Sequence, residues 1–175
     1  MKQTQLNEYF AATWQPALST YRSSKYTTIA EKIQDTEYLL DVGCGLNPFK
    51  QLVKNCYGID PANPAADEMT AIQDFVAPRL YDVATCLGSI NFGNEARIAE
   101  HIACVVQCLT PESRIYWRLN PGRYDHGNAT CKDIEFFPWT FTKLRKYAAL
   151  HGYTQTNEAV EDSEDILRLY AEWHR

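Results

Sequence analysis

The sequence predicts an α/β fold, a mostly parallel sheet with helices on both faces, closed by a C-terminal antiparallel strand pair. Three observations carry this. Short continuous apolar runs, such as Tyr38-Leu39-Leu40-Asp41-Val42 and Tyr81-Asp82-Val83-Ala84-Thr85-Cys86-Leu87, read as strands buried on both faces. Segments with helical spacing alternate with them, as in the apolar stripe Ile98, Ile102, Val105, Val106 and Leu109. Two of the early strands close on an aspartate, Asp41 and Asp60, at the ends where open α/β sheets hold their ligands.

In chain order, residues 1–36 carry Leu6, Tyr9, Phe10, Trp14, Leu18, Tyr21, Tyr26, Ile29 and Ile33 at helical spacing broken by Pro16, and predict a helical N-terminal cap. The first strand follows at Tyr38, and Pro48 suits the opening turn of a helix through Phe49, Leu52 and Val53. Tyr57-Gly58-Ile59-Asp60 is a second short strand, broken afterwards by Pro61, Asn63 and Pro64. The strand at Tyr81 precedes the Ile98 helix, which Pro111 is expected to end, and Arg114–Leu119 gives the next strand. A loop at about residues 120–138 is too long for a mere connector. Thr140 is placed to cap a helix through Phe141, Leu144 and Tyr147 that Gly152 terminates. Tyr153 to Val160 and Ile166 to Trp173 read as the closing strand pair, and the whole as one domain, 1–175, with its α/β core at 37–175.

Bulk properties exclude several function classes. A net charge of −5 and a pI near 5.4 disfavour broad attachment to nucleic acid. No apolar run approaches the roughly 18 residues of a membrane span, and Met1-Lys2-Gln3-Thr4-Gln5 lacks an apolar signal core, so the expectation is a cytoplasmic protein with no membrane partner. The six cysteines contain no Cys-x-x-Cys pair and sit mostly in apolar runs, which predicts reduced structural thiols; His101 and Cys104 have no further ligand at metal spacing, and no metal is expected.

The chemistry concentrates after the first strand. Gly43 and Gly45 in Asp41-Val42-Gly43-Cys44-Gly45 permit backbone angles closed to other residues and let backbone N–H groups approach a ligand, although an ordinary tight turn reads the same way. Asp60, with Pro61 after it, suits the hydroxyls of a ribose. Asp74 and Phe75 add a carboxylate and an aromatic ring at the next crossover.

In that order the motifs resemble those of the class I, Rossmann-like S-adenosylmethionine-dependent methyltransferases, over roughly residues 26–173. Leu39-Leu40-Asp41-Val42-Gly43-Cys44-Gly45 resembles the first motif, Tyr57-Gly58-Ile59-Asp60 the acidic second strand, Gln73-Asp74-Phe75 the adenine turn, and Tyr81 to Ser89 the fourth strand with its active-site edge. Leu109-Thr110-Pro111 stands where the family usually has Leu-x-Pro-Gly-Gly, and Gly152-Tyr153 resembles the start of the sixth strand. Asn47 replaces the third glycine of the first motif, and the interval from Asp41 to Asp60 is about one helical turn short.

The resemblance implies a seven-stranded sheet and an S-adenosylmethionine cofactor leaving as S-adenosylhomocysteine. It implies contacts from Asp41, Gly43, Cys44, Gly45, Asn47, Asp60, Pro61, Asp74, Phe75, Leu87, Gly88 and Ser89. Gly43 and Gly45 would face the methionine part, Asp60 the ribose, Asp74 the adenine amino group, and Leu87-Gly88-Ser89 the methyl. His126 in the loop after the fifth strand is the candidate base, with Tyr124 and Asp125 as substitutes. Arg118, Arg123, Lys143, Arg145 and Lys146 are candidates to border an anionic substrate, and Arg22 and Tyr26 to touch the cofactor carboxylate. Leu87-Gly88-Ser89-Ile90 is not the Pro-Pro-aromatic motif of nucleic-acid amino methylation, so a small-molecule acceptor is expected, with a peptide or protein as the alternative. Two other functions fit the same turn: a non-catalytic S-adenosylmethionine-binding accessory protein, and a nicotinamide-dependent oxidoreductase, for which the third fingerprint glycine is lacking.

Overall fold

A computed structural model describes residues 3–13, 24–122, 134–163 and 166–175. Six strands, β1 (Leu39–Val42), β2 (Cys56–Ile59), β3 (Tyr81–Leu87), β4 (Leu109–Leu119), β5 (Thr154–Ser163) and β6 (Ile166–His174), form one mixed sheet in the order β2-β1-β3-β4-β6-β5. The β2-β1-β3-β4 block is parallel; β6 runs antiparallel to both β4 and β5. Two N-terminal helices, α1 (Gln3–Glu8) and α2 (Ser24–Ala30), precede it, and α3 (Glu95–Gln107) and α4 (Phe141–Leu150) lie between later strands.

Strand alternation divides the core between the two faces. Leu40, Val42, Ala84, Cys86, Ile115, Trp117 and Trp173 pack with Ile98, Ile102 and Val105 of α3 and Leu144, Tyr147 and Ala148 of α4. Leu39, Val83, Tyr116 and Tyr170 point to the other face, against Ile29 of α2 and Phe49. Each fully buried Leu, Ile or Phe contributes roughly 1.5–3 kcal/mol. Trp117 and Trp173, on neighbouring strands with ring centroids 4.7 Å apart, anchor the first face. A third cluster, Leu6, Tyr9, Phe92 and Ile134 with Phe10 and Phe136 against it, ties α1 to the segment after β3.

The α4 helix ends at the residues read for it, Thr140 and Gly152, and α3 has a cap the sequence reading did not name. Asn94 caps α3 by accepting from the Arg97 N–H at 3.1 Å, Thr140 caps α4 through the Lys143 N–H at 3.2 Å, and Gly152, at φ +76°, follows the α4 terminus.

Three expectations are corrected. Among the described residues the sheet has six strands, not seven. The outer edge of β2, where a further strand would pair, carries a single parallel bridge, Ile59↔Glu68. Side chains close that edge: the Gly58 N–H donates to Asp67 Oδ2 at 2.9 Å, the Asp67 N–H returns to the Gly58 carbonyl at 2.9 Å, and Lys50 Nζ donates to the Cys56 carbonyl at 3.1 Å. The helix expected after β1 is one 3-10 turn, Pro48–Gln51, because the chain must reach Cys56 to begin β2. Finally, α3 ends at Gln107 and Pro111 lies inside β4, which starts at Leu109 because the Cys108 carbonyl already accepts from the Tyr81 N–H at 2.9 Å. Pro16, Trp14, Leu18 and Tyr21 lie outside the described residues. Among the described residues no helix is long and apolar enough to cross a membrane.

Candidate functional site

A cavity of about 400 Å³ opens across the carboxyl ends of β2, β1, β3 and β4, within the size range of small-molecule sites. Gly43, Gly45 and Leu46 line it beside Asp60 to Pro64, and Thr70 to Gln73 complete that end. Leu87 to Phe92 form its middle, Arg118, Arg168 and Tyr26 the opposite end, and Leu6, Phe10 and Ala11 of the N-terminal segment close over it.

The glycine turn is built for closeness. Gly43 (φ +70°) lies so near Ser89 that a Cβ on it would stand 2.3 Å from the Ser89 Cβ. Gly45 follows at φ +54° and Asn47 at φ +54°. The amide protons of the turn are directed away from the cavity: the Gly43 and Cys44 N–H groups donate to the Ile59 carbonyl at 2.8 and 3.0 Å, and the Gly45 N–H to Asp60 Oδ2 at 3.0 Å. What the turn offers a ligand is therefore close approach, and its N–H groups bind the neighbouring strand instead. Gly88 (φ +102°) lines the cavity, and a Cβ there would meet no atom within 4 Å, so that volume is open to a ligand.

Asp60 joins the two sides of this corner. Its Oδ1 accepts from the Ala62 and Asn63 N–H groups at 2.8 and 3.0 Å, and its Oδ2 from Gly45. A carboxylate oxygen can accept more than one such bond, so Oδ2 keeps acceptor capacity for a ligand hydroxyl.

Asp41 is buried behind the turn, and its Oδ1 accepts from Thr85 Oγ1 at 2.7 Å while Oδ2 has no hydrogen-bond partner. Burial pushes its carboxyl up to about 7, opposed by the Thr85 bond and assisted by the Asp60 charge. Between about pH 4 and 7 the folded protein thus keeps a proton that the unfolded chain has released, so stability falls as pH rises through that window. At roughly 1.4 kcal/mol per pH unit the full cost reaches about 4 kcal/mol. Asp41→Asn, still accepting from Thr85, is expected to melt above wild type by a margin that widens from pH 4 to 7 and then levels. A margin independent of pH in thermal melts would contradict this.

Of the residues predicted for the cofactor, Gly43, Gly45, Asp60, Pro61, Leu87, Gly88 and Ser89 meet around the cavity. Cys44 is buried beneath the turn, and burial raises its thiol pKa well above the usual range. Asn47 faces Gly58 and the Ala65 to Asp67 segment, donating to the Ala65 carbonyl at 3.2 Å and to Asp67 Oδ2 at 3.3 Å. Asp74 is exposed, receiving a bond from Gln73 Nε2 at 3.2 Å, and Phe75 is buried in the core, stacked on Tyr57 with centroids 6.0 Å apart. His126, Tyr124, Asp125, Arg123 and Arg22 lie outside the described residues. Of the cations, Arg118 lines the cavity, whereas Lys143, Arg145 and Lys146 of α4 bind the Pro138 carbonyl, Glu158 and Glu95.

Several cavity residues carry no local sequence signal. Asn91 donates from Nδ2 to the Gly88 carbonyl at 2.8 Å and accepts from the Asn120 N–H at 2.9 Å, fixing the ends of β3 and β4 together. Gln73 lines the cavity in place of Asp74, next to His101, whose imidazole burial holds neutral with its pKa lowered to about 4. Arg168 reaches the site only because β6 lies beside β4. The five described cysteines form no disulfide, and among the described residues no three His, Cys, Asp or Glu side chains converge as a metal site would require.

Neither a protein-family profile nor a curated protein sequence matches the chain. Solved structures do. The chain is similar to the magnesium protoporphyrin IX methyltransferase of Synechocystis with bound S-adenosylhomocysteine, at 13% identity and a TM-score of 0.76 over 98% of each chain. It is similar to the 1,6-didemethyltoxoflavin-N1-methyltransferase of Burkholderia thailandensis, at 11% identity and a TM-score of 0.74, covering 98% of this chain and 88% of that one. A third, the N-methyltransferase NodS of Bradyrhizobium japonicum with S-adenosylhomocysteine, shares 14% identity at a TM-score of 0.68 over 97% and 96%. At these identities the likeness is one of fold: the chain has the class I methyltransferase fold.

Proposed function

We propose that this chain binds S-adenosylmethionine in the cavity over β2, β1 and β3 and transfers its methyl group to a small-molecule acceptor. The observation that carries the reading is the chemistry of the glycine turn. Its three amides are committed to Ile59 and Asp60, and the segment after it is a four-residue 3-10 turn opened by Pro48. A dinucleotide pyrophosphate needs free N–H groups at a helix N-terminus, and this corner presents a carboxylate. A sulfonium ligand needs no such donors and is a cation, which Asp60 favours, so the geometry counts against a nicotinamide cofactor.

The residues fit the group in size and pattern. The open space beside Gly88 accepts ligand atoms, Asp60 Oδ2 is an acceptor for a ribose hydroxyl, and Thr70 to Gln73 would border the adenine. Bound S-adenosylmethionine supplies an electrophilic methyl: the acceptor's lone pair forms the new bond as the carbon–sulfur bond breaks, both electrons stay on sulfur, and any acceptor proton passes to a base. The chain's part is positioning. Leu87 to Ser89 form the edge that would face the reacting centre, Asn91 holds that edge to β4, and Leu6 and Phe10 line the cavity from the N-terminal segment and would help to exclude water. Where the acceptor atom is protonated, His126, Tyr124 and Asp125 are the proposed bases on the sequence evidence. The structural neighbours named for porphyrin and toxoflavin methylation support a small-molecule acceptor.

S-adenosylhomocysteine at about a hundred times its dissociation constant should stabilise the fold by roughly 2.7 kcal/mol, a rise in melting temperature of about 5–10 °C for a domain of this size. NAD(H) should give none. A chain stabilised by NAD(H) and indifferent to both S-adenosylmethionine and S-adenosylhomocysteine would reverse the assignment, and transfer of labelled methyl to an acceptor separates an enzyme from an accessory binder.

A further inference from the structure

The cavity is electrically polarised along the sheet. Asp60 marks one end, at β2; Arg118 of β4 and Arg168 of β6 line the other. Arg118 Nε donates to Glu161 Oε2 at 2.7 Å, and Lys25 Nζ contacts the other oxygen of the same carboxylate at 2.8 Å. At this corner Arg118 and Lys25 share the Glu161 carboxylate, and Arg168 lies on the next strand, opposite Glu161 in the β5–β6 register, donating to the Leu167 carbonyl at 3.1 Å.

Strand spacing separates this end from the cofactor. Neighbouring strands lie about 4.8 Å apart, which puts β4 and β6 roughly 14 and 19 Å across the sheet from β2. With bonds of about 1.5 Å, a cofactor whose ribose rests on Asp60 reaches about 10 Å with its methionine tail, and so ends near β3. On the methyl-transfer reading, the space beyond β3 would be left for the methyl acceptor. The cavity's lining includes the apolar and aromatic side chains of Leu6, Phe10, Tyr26, Leu87 and Phe92.

Resting on the methyl-transfer reading above, we propose that the acceptor is a small carboxylate with an apolar or aromatic body, its carboxylate held at the β4–β6 end by Arg118 and Arg168. Planar guanidinium groups pair with carboxylates through two parallel N–H bonds, which orient as well as attract. The carboxylate would thereby fix which atom of the acceptor faces the Leu87–Ser89 edge.

The test uses the full chain saturated with S-adenosylhomocysteine and titrated with 4-hydroxybenzoate and its neutral counterpart 4-hydroxybenzamide. The acid is expected to bind at least about tenfold more tightly than the amide. Arg168→Gln and Arg118→Gln should each lose about that factor for the acid, Arg168→Lys should keep part of it, and all three should hold S-adenosylhomocysteine within about twofold of wild type, which also shows them folded. Acid and amide bound alike by wild type, or neither bound, would overturn the proposal. So would variants that lose S-adenosylhomocysteine in parallel, because the guanidinium groups would then serve the cofactor's own carboxylate. Failure of wild type to bind S-adenosylhomocysteine at all would instead remove the methyl-transfer reading, and this one with it.

Discussion

Gly43→Ala is expected to destabilise the protein by about 2–5 kcal/mol and to weaken S-adenosylhomocysteine binding by at least a hundredfold. A side chain at φ +70° costs about 1–2 kcal/mol. The new methyl would stand 2.3 Å from Ser89 Cβ, a forced overlap worth a further 1–3 kcal/mol or so. Relief requires moving either the turn or the Leu87–Ser89 edge, and both line the cavity. Gly88→Ala is the matched comparison. Its φ of +102° is also strained, but its methyl meets no protein atom, so it should lower ligand affinity with a smaller loss in melting temperature. Melting curves and ligand titrations on the two variants check both halves. A Gly43→Ala protein that melts and binds like wild type would show that the turn and the edge do not touch as described.

Removing the carboxylate of Asp60 should have the second large effect. Asp60→Ala leaves three amides, those of Gly45, Ala62 and Asn63, without their charged acceptor, and bonds to a charged group contribute about 1.5–3 kcal/mol each. Part of that loss is recovered by water, so a stability loss of about 2–4 kcal/mol is expected, together with loss of measurable cofactor binding. Asp60→Asn separates structure from recognition. Its carbonyl can still accept from Ala62 and Asn63, but an NH2 group then opposes the Gly45 N–H and offers nothing to a ribose hydroxyl as acceptor. It should therefore melt between wild type and Asp60→Ala yet bind S-adenosylhomocysteine as poorly as the alanine variant. Wild-type affinity in Asp60→Asn would take the ribose contact away from this residue.

Both residues were legible in the sequence because their signals are local. A glycine directly after a buried strand and an aspartate at the end of the next one are chemical statements that need no knowledge of distant neighbours. The four parallel strands and β6 were legible for the same reason, since each carries a short apolar run, whereas β5 is mostly polar along Thr154–Ser163; the seventh strand came only from the family resemblance and is the one the sheet lacks among the described residues. Capping followed from residue type alone at Thr140 and Gly152. Arg168, Gln73 and Asn91 were hidden because their roles depend on register and packing: Arg168 needs the antiparallel pairing of β4 with β6, and Asn91 needs Asn120 brought to its side. Asp74 and Gln73 show the limit most sharply. Adjacent in sequence, they differ in which one the turn after Ala71 directs to the cavity, and the sequence motif favours the other.

The closed edge of β2 bears on how this protein meets its own copies. A strand left bare at the margin of a sheet is a template on which another chain can add a strand, and so a route to aggregation. Here the outward Gly58 N–H and carbonyl and the Cys56 carbonyl are already occupied by Asp67 and Lys50. A carboxylate and an ammonium from the two segments that flank β2, themselves paired at 2.6 Å, thus stand in for an entire strand as a barrier to self-association, and the sheet can end at β2 with these outward backbone groups already occupied.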